Sequence, residues 1–205
     1  MRFLLLLLAI SLAGCQSFNP QKNTSSSLQP IDPAVAILAQ KHRKKLAKFN
    51  KWVAKGKIKI SAQGDPNSAS FEWQQFNNNY DINFFGPFGY GNSWLRRTSK
   101  GVTLEVPERP PQRARTAEQL LQQTVGWQAP ISDLQYWIKG LPAPQGVVDK
   151  QHFTQHGALS QLQQQGWDLA FSRHQHYQDL WLPGKVVASR QGVTVLVIIK
   201  QWTQP

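Results

Sequence analysis

The chain has 205 residues, of which 40% are hydrophobic and 11% aromatic, enough for one ordinary core and too apolar for a disordered tail. Lys and Arg number 23 against 11 Asp and Glu, and the resulting charge of +12 favours anionic partners without choosing among nucleic acid, anionic lipid and acidic protein. A single cysteine excludes an intrachain disulfide framework and a cysteine-based zinc cluster.

Arg2 precedes an apolar run, Phe3 to Leu12, that ends in Leu12-Ala13-Gly14-Cys15. As a helix such a run reaches only about 15 Å, half of a hydrocarbon core, so it reads as a secretion signal and not as a permanent span. The small pair before Cys15 resembles the bacterial lipobox. That resemblance implies a signal peptide over 1–14, cleavage before Cys15, and S-diacylglycerol and N-acyl groups on that cysteine, with no other cofactor. Two or three acyl chains hold a protein on a bilayer far longer than one. In lipoproteins of this kind an Asp after the cysteine tends to mark inner-membrane retention; here the residue is Gln16, so a lipid-anchored place on the periplasmic side of the outer membrane is expected. The following stretch to Pro30, rich in Asn, Gln, Ser and Pro, reads as a flexible tether over 15–31, and 32–205 as one folded domain.

Asp32-Pro33 looks like an N-cap followed by a first-turn proline, and Val35, Leu38, His42, Leu46 and Phe49 follow at helical spacing, predicting a helix from Pro33 to about Asn50. Its other face carries Lys41, Arg43, Lys44, Lys45 and Lys48. No acid occurs between Asp32 and Asp65. A solvated helix face accounts for such a run in most proteins; beside a lipid tether, contact with anionic headgroups or an acidic partner is the functional expectation.

Alternation with period two then takes over, at Ile58 and Ile60, Phe71 and Trp73, and Ile82 and Phe84, with turn signals at Gly64-Asp65-Pro66-Asn67 and Asn77-Asn78-Asn79. Further strands are expected at Asn92 to Arg97, Val102 to Val106, Ala158 to Gln164, Trp167 to Arg173, Lys185 to Arg190 and Val193 to Trp202. Between the two strand-rich halves, Thr116 with Gln119 forms a capping-box pair before Leu120, Leu121 and Val125, with Gly126 as a stop. Ser132 is placed to cap a second short helix carrying Leu134, Trp137 and Ile138 and closed by Gly140. Helices this short are marginal alone and must lie on the sheet. The expected fold is mainly β: a curved antiparallel sheet forming an incomplete, half-open β-barrel, covered by short helices with an apolar cavity between.

Gly126, Pro130, Leu134 and the run Trp137-Ile138-Lys139-Gly140-Leu141-Pro142 resemble the central helical motif of the LolB family of outer-membrane lipoprotein receptors. So do Phe71-Glu72-Trp73-Gln74-Gln75 and the later Gly86-Pro87-Phe88-Gly89. The order of segments matches as well, over essentially the whole chain beyond the lipobox. The resemblance implies a monomeric acceptor that takes lipoprotein cargo from a soluble periplasmic carrier resembling LolA and places it among outer-membrane phospholipids. It implies no enzyme and no nucleic acid.

An acceptor of that kind needs an apolar shelter, because a triacylated cysteine carries roughly 45 methylenes, worth on the order of 35 kcal/mol at about 0.8 each. The in-phase apolar set proposed as its lining is Ile58, Ile60, Phe71, Trp73, Ile82, Phe84, Trp94, Leu104, Trp137, Leu169 and Phe171, all of which would serve equally as ordinary core. Gly86-Pro87-Phe88-Gly89-Tyr90-Gly91 stands where a hairpin tip should be and carries two aromatics towards solvent. In the resembling family the matching loop delivers cargo through a protruding apolar residue, usually leucine, and Phe88 between Pro87 and Tyr90 holds that position here.

There is no GxxxxGK[ST] loop, no GxGxxG and no GxSxG elbow, so transfer is expected to run down a gradient of affinity. His152 with His156, and His174 with His176, have spacings a metal could use, but no Cys or carboxylate pair completes a coordination sphere, and no metal is expected. His174 and His176 fall out of phase with Leu169 and Phe171 and should meet water. The rival reading is a structural or assembly lipoprotein of the outer membrane that binds no acyl chain.

Overall fold

The computed structural model describes residues 32–62, 65–86, 92–125 and 129–205. Asp32 caps helix α1 (Pro33–Lys48): its Oδ1 accepts from the Ala34 N–H at 2.8 Å, and Pro33 occupies the first turn, where a missing N–H leaves nothing unpaired. The stripe that α1 buries is Ala39, His42 and Leu46, continued past its end by Phe49. Leu38, expected on that face, is 43% exposed, because a position one residue before Ala39 is turned about 100° away.

Strand β1 (Lys51–Ala62) begins almost at once and pairs with β2 (Asp65–Phe76), which pairs with β3 (Asn79–Phe85). Asp65, Pro66 and Asn67, expected to turn, already pair with Ala62, Ser61 and Ile60. Asn77 supplies the left-handed geometry, at φ 54°, of the tight turn joining Phe76 to Asn79. The meander continues through β4 (Ser93–Thr98), β5 (Gly101–Glu105) and β6 (Gln112–Ala114). Helices α2 (Ala117–Val125) and α3 (Ile131–Trp137) interrupt it. The second meander is β7 (Val148–Phe153), β8 (Leu159–Gln164), β9 (Trp167–Ser172), β12 (Lys185–Arg190) and β13 (Val193–Thr203), with a separate ribbon of β10 (Gln175–Tyr177) and β11 (Leu180–Leu182). Strands β6, β7, β10 and β11 escape the sequence reading because they are too short or too polar to show alternation.

One antiparallel sheet of eleven strands results, in the order β6-β5-β4-β3-β2-β1-β13-β12-β9-β8-β7. The two meanders join where β1 meets β13, with Ala54 opposite Trp202 and Ile58 opposite Val197. The outer strands β6 and β7 do not pair with each other, so the curved sheet stays an incomplete barrel. Its inner face and α3 share a single apolar cluster. Ile31–Pro205 forms one unit, and no described helix is long and apolar enough to cross a membrane.

Gly157, at φ +75°, lies directly beneath α1: a Cβ there would stand 2.4 Å from the Ala39 nitrogen. Gly192, at φ +80°, has nothing within 4 Å of the same position. Gly157→Ala is expected to lower stability by about 2 to 5 kcal/mol, through backbone strain plus displacement of α1, and Gly192→Ala by about 1 to 2 kcal/mol through strain alone. Thermal unfolding of the two variants measures the difference; equal losses would show that α1 does not rest on this turn.

Candidate functional site

Alternation along the strands sends Ile58 and Ile60 of β1, Phe71 and Trp73 of β2, Ile82 of β3, Leu104 of β5 and Leu169 and Phe171 of β9 to the inner face, where Trp137 of α3 meets them; all are buried in one cluster. Phe84 is half-buried at its margin. Trp94 does not belong to the set. It pairs with Asn83 and Glu105 on the outward face, and Leu95, fully buried opposite Ile82 and Leu104, takes the inward place. A shift of one residue exchanges the faces of a strand, and aromatic character alone gave the wrong phase. Of the aromatic residues that sequence reasoning missed, Trp52, Tyr80 and Trp167 share the parity of their strands' buried positions, whereas Trp202 breaks the parity of Val195, Val197 and Ile199 because β13 carries an extra residue opposite Lys55 and Gly56. Trp52 stands 5.6 Å from Trp73 and 5.3 Å from Trp202, Trp73 is 5.8 Å from Tyr80, and Trp137 is 5.9 Å from Trp167, centroid to centroid. Because these side chains fill the interior by packing on one another, an apolar guest enters only where they separate.

The helical cover is fastened to the sheet by polar side chains. Gln164, with no exposed surface, accepts from the Trp137 indole N–H at 3.0 Å and the Ala143 N–H at 2.9 Å, and donates to the Ala143 carbonyl at 2.8 Å. Gln75 accepts from the Trp73 indole at 2.9 Å and donates to the Asn77 carbonyl at 2.7 Å and to Gln135 of α3 at 3.4 Å. Both glutamines occupy inward positions, and a polar residue in an apolar phase is the signal that could have revealed them.

Ser132 does not cap α3, which starts at Ile131; its N–H and hydroxyl donate instead to the Glu118 carboxylate of α2, at 2.7 and 3.1 Å. Thr116 does cap α2, accepting from the Gln119 N–H at 3.2 Å. Beside these bonds, α2, α3 and the β8–β9 and β12–β13 ends border a cleft of about 550 Å³ that includes Glu118, Asp133, Gln165, Trp167 and Arg190.

Lys139, buried just after α3, donates to the Leu46 carbonyl at 3.3 Å and the Phe49 carbonyl at 2.7 Å, joining the cover to the C-terminal end of α1, where a cation is favoured. Among the described residues three buried side-chain polar atoms have no such partner: the Asn83 Oδ1, which accepts, and two donors, the Trp52 Nε1 (residue 0% exposed) and the Tyr80 hydroxyl (3%). Leaving a buried donor unpaired costs about 1–3 kcal/mol.

Along α1 the residues Lys41, Arg43, Lys44, Lys45 and Lys48 are exposed, and among described residues only Lys45 has an acidic neighbour, Asp179 at 3.8 Å. The apolar side of the helix borders a groove of about 220 Å³ with Leu141, Phe153 and Leu159. His42 accepts from the Trp181 N–H at 3.1 Å, and burial, then His174, then Lys45 hold its pKa below the ordinary value. His174, expected in water, is half-buried with its Nε2 2.8 Å from the Leu159 carbonyl, and burial lowers its pKa. His176 is exposed as expected. Cys15, Pro87, Phe88, Tyr90 and Gly126 lie outside the described residues.

Burial lowers the Lys139 ammonium to about 8. The unfolded chain then binds the extra proton between about 8 and the ordinary lysine range, so this group's contribution makes stability rise with pH through that window. Urea unfolding of wild type and Lys139→Met is expected to show the difference moving in favour of wild type between pH 7.5 and pH 10; a constant difference would place the ammonium in water.

The family profile for "Outer membrane lipoprotein LolB" matches residues 50–202. An outer-membrane lipoprotein LolB from Cellvibrio japonicus is 33% identical over 80% of this chain and 82% of its own length, and one from Pseudomonas fluorescens is 31% identical over 93% and 90%. Among solved structures, a LolA superfamily protein from Nitrosomonas europaea shares the fold at a TM-score of 0.55 and 8% identity, over 82% of this chain and 93% of its own. With an unclosed sheet, a two-helix cover and a match across three quarters of its length, the chain belongs to the LolB family of outer membrane lipoproteins.

Proposed function

We propose that this protein accepts lipoproteins from a soluble periplasmic carrier of the LolA kind, shelters their acyl chains against the inner face of its sheet and inserts them into the outer membrane without nucleotide. The observation that carries the reading is the mode of closure: an aromatic, apolar face lies under α2 and α3, which are joined to each other through Glu118, tied to their surroundings by the Gln164, Gln75 and Lys139 bonds, and border an open cleft. Such a cover can lift as a unit, and the apolar area it exposes is what an acyl chain would occupy. Without an energy source, cargo moves only if this face holds acyl chains more tightly than the carrier does, and the bilayer more tightly than this face. The anchor on Cys15 and the exposed lysines of α1 would keep the domain beside anionic headgroups. Phe88, carried between β3 and β4, would enter the bilayer at release.

The filled interior is also what a structural lipoprotein without acyl binding would have. Mixing the full chain, carrying Cys15→Ala so that no anchor is added, with carrier loaded with one lipoprotein separates the two readings. Cargo is expected to change hands without nucleotide; retention by the carrier would favour the structural reading. In the anchored protein on vesicles, Phe88→Glu is expected to leave uptake intact and to remove most incorporation into the membrane, and normal incorporation would reject that role.

A further inference from the structure

We propose that the Tyr80 hydroxyl and the Trp52 indole N–H are hydrogen-bond anchors for the carbonyl oxygens of the bound lipid, so that this face selects ester- or amide-linked acyl chains over plain hydrocarbon. The inference rests on the acyl-binding reading above and assigns the part of the ligand that reading leaves unaddressed.

Both groups are donors, both are buried, and neither has a partner. The surrounding interior shows that this is not carelessness of packing. The indole N–H groups of Trp73, Trp137 and Trp202 reach Gln75, Gln164 and the Pro183 carbonyl at 2.9, 3.0 and 3.4 Å, and Lys139 reaches two carbonyls. On the same face the chain uses phenylalanine at Phe71 and Phe171, so a ring without a hydroxyl would fill the position of Tyr80 and leave no donor unpaired. A carbonyl oxygen accepts and never donates, which is the complement of two lone donors in an apolar wall.

Position supports the assignment. Trp52 and Tyr80 are the two cross-strand partners of Gln75, one on β1 and one on β3, so they stand at one level of the sheet about two strand spacings, roughly 10 Å, apart. That separation suits carbonyls belonging to different chains of one lipid. The Tyr80 hydroxyl stays protonated, since burial and then the Glu118 carboxylate raise its pKa far above any working pH. The remaining unpartnered atom, Asn83 Oδ1, is an acceptor in outward phase and takes no part.

The test compares two synthetic ligands on the full chain with Cys15→Ala: a cysteine peptide bearing an S-2,3-bis(acyloxy)propyl group, and its dialkyl ether analogue of equal chain length. Wild type is expected to bind the ester about three- to tenfold more tightly, and that ratio to fall towards one in Tyr80→Phe and Trp52→Phe. Using the ratio cancels any general loss of packing in the variants. Tyr80→Phe is also expected to unfold at an equal or higher temperature than wild type, an outcome a purely structural hydroxyl would not combine with weaker ester binding. With a 13C-labelled ester, the carbonyl stretch should move to lower wavenumber on binding to wild type and not to Tyr80→Phe. A ratio of one in wild type, or an unchanged ratio in Tyr80→Phe, would overturn the assignment while leaving acyl binding in place. Failure of wild type to bind either ligand would overturn both.

Discussion

Everything in this molecule follows from a sheet that buries one face without closing on itself. Eleven strands curve around one apolar core, yet β6 and β7 do not pair with each other, so part of that core has to be covered by something other than strand pairing. The cover consists of α2 and α3, nine and seven residues long, which are too short to be stable by themselves and hold their shape only where they sit. Their attachment is therefore the weak seam of the structure. The sheet behind them, hydrogen-bonded strand to strand through β1 and β13, is the rigid part.

Beside the apolar packing of Leu120, Ile131, Leu134 and Trp137, the cover has polar fastenings, and these have a physical consequence. A buried amide such as that of Gln164 fixes one arrangement sharply because its groups find their partners only in that arrangement, whereas apolar contact tolerates sliding. Gln75, Gln164, Glu118 and Lys139 thus define a single closed state. Breaking them exposes groups that water can satisfy at once, so opening towards solvent is less costly than opening a wholly apolar seam of the same area. The unpaired donors of Trp52 and Tyr80 act in the opposite direction: they make this arrangement less stable than it could be.

Charge is divided by surface. On the outward face of the sheet, Lys55 meets Glu72 at 2.9 Å and Arg96 meets Asp81 and Glu105 at 2.8 and 3.3 Å, exposed pairs that contribute little to stability. On α1 the lysines stand largely without acids, and the buried side of the helix is held by neutral His42 against the β10–β11 ribbon and by Gly157 beneath it. Helix α1 is thereby both firmly seated and strongly basic.

Strand alternation, the Asp32 cap, the Thr116 cap and the Asn77 turn were legible in the residues because each is a local matter of parity, φ or a single side-chain bond. Family membership was legible in the same way, through short motifs in fixed order. Tertiary structure alone decided the rest. Which of Trp94 and Leu95 points inward depends on the register with β3 and β5, a non-local pairing; whether Ser132 caps its own helix or binds Glu118 depends on how α2 and α3 meet; and Lys139 reads as one more basic residue until the end of α1 is brought to it across 90 residues of chain. Local sequence sets which groups are available, but hydrogen bonds between distant segments exist only after the chain has folded, and in this protein those bonds hold the cover in place.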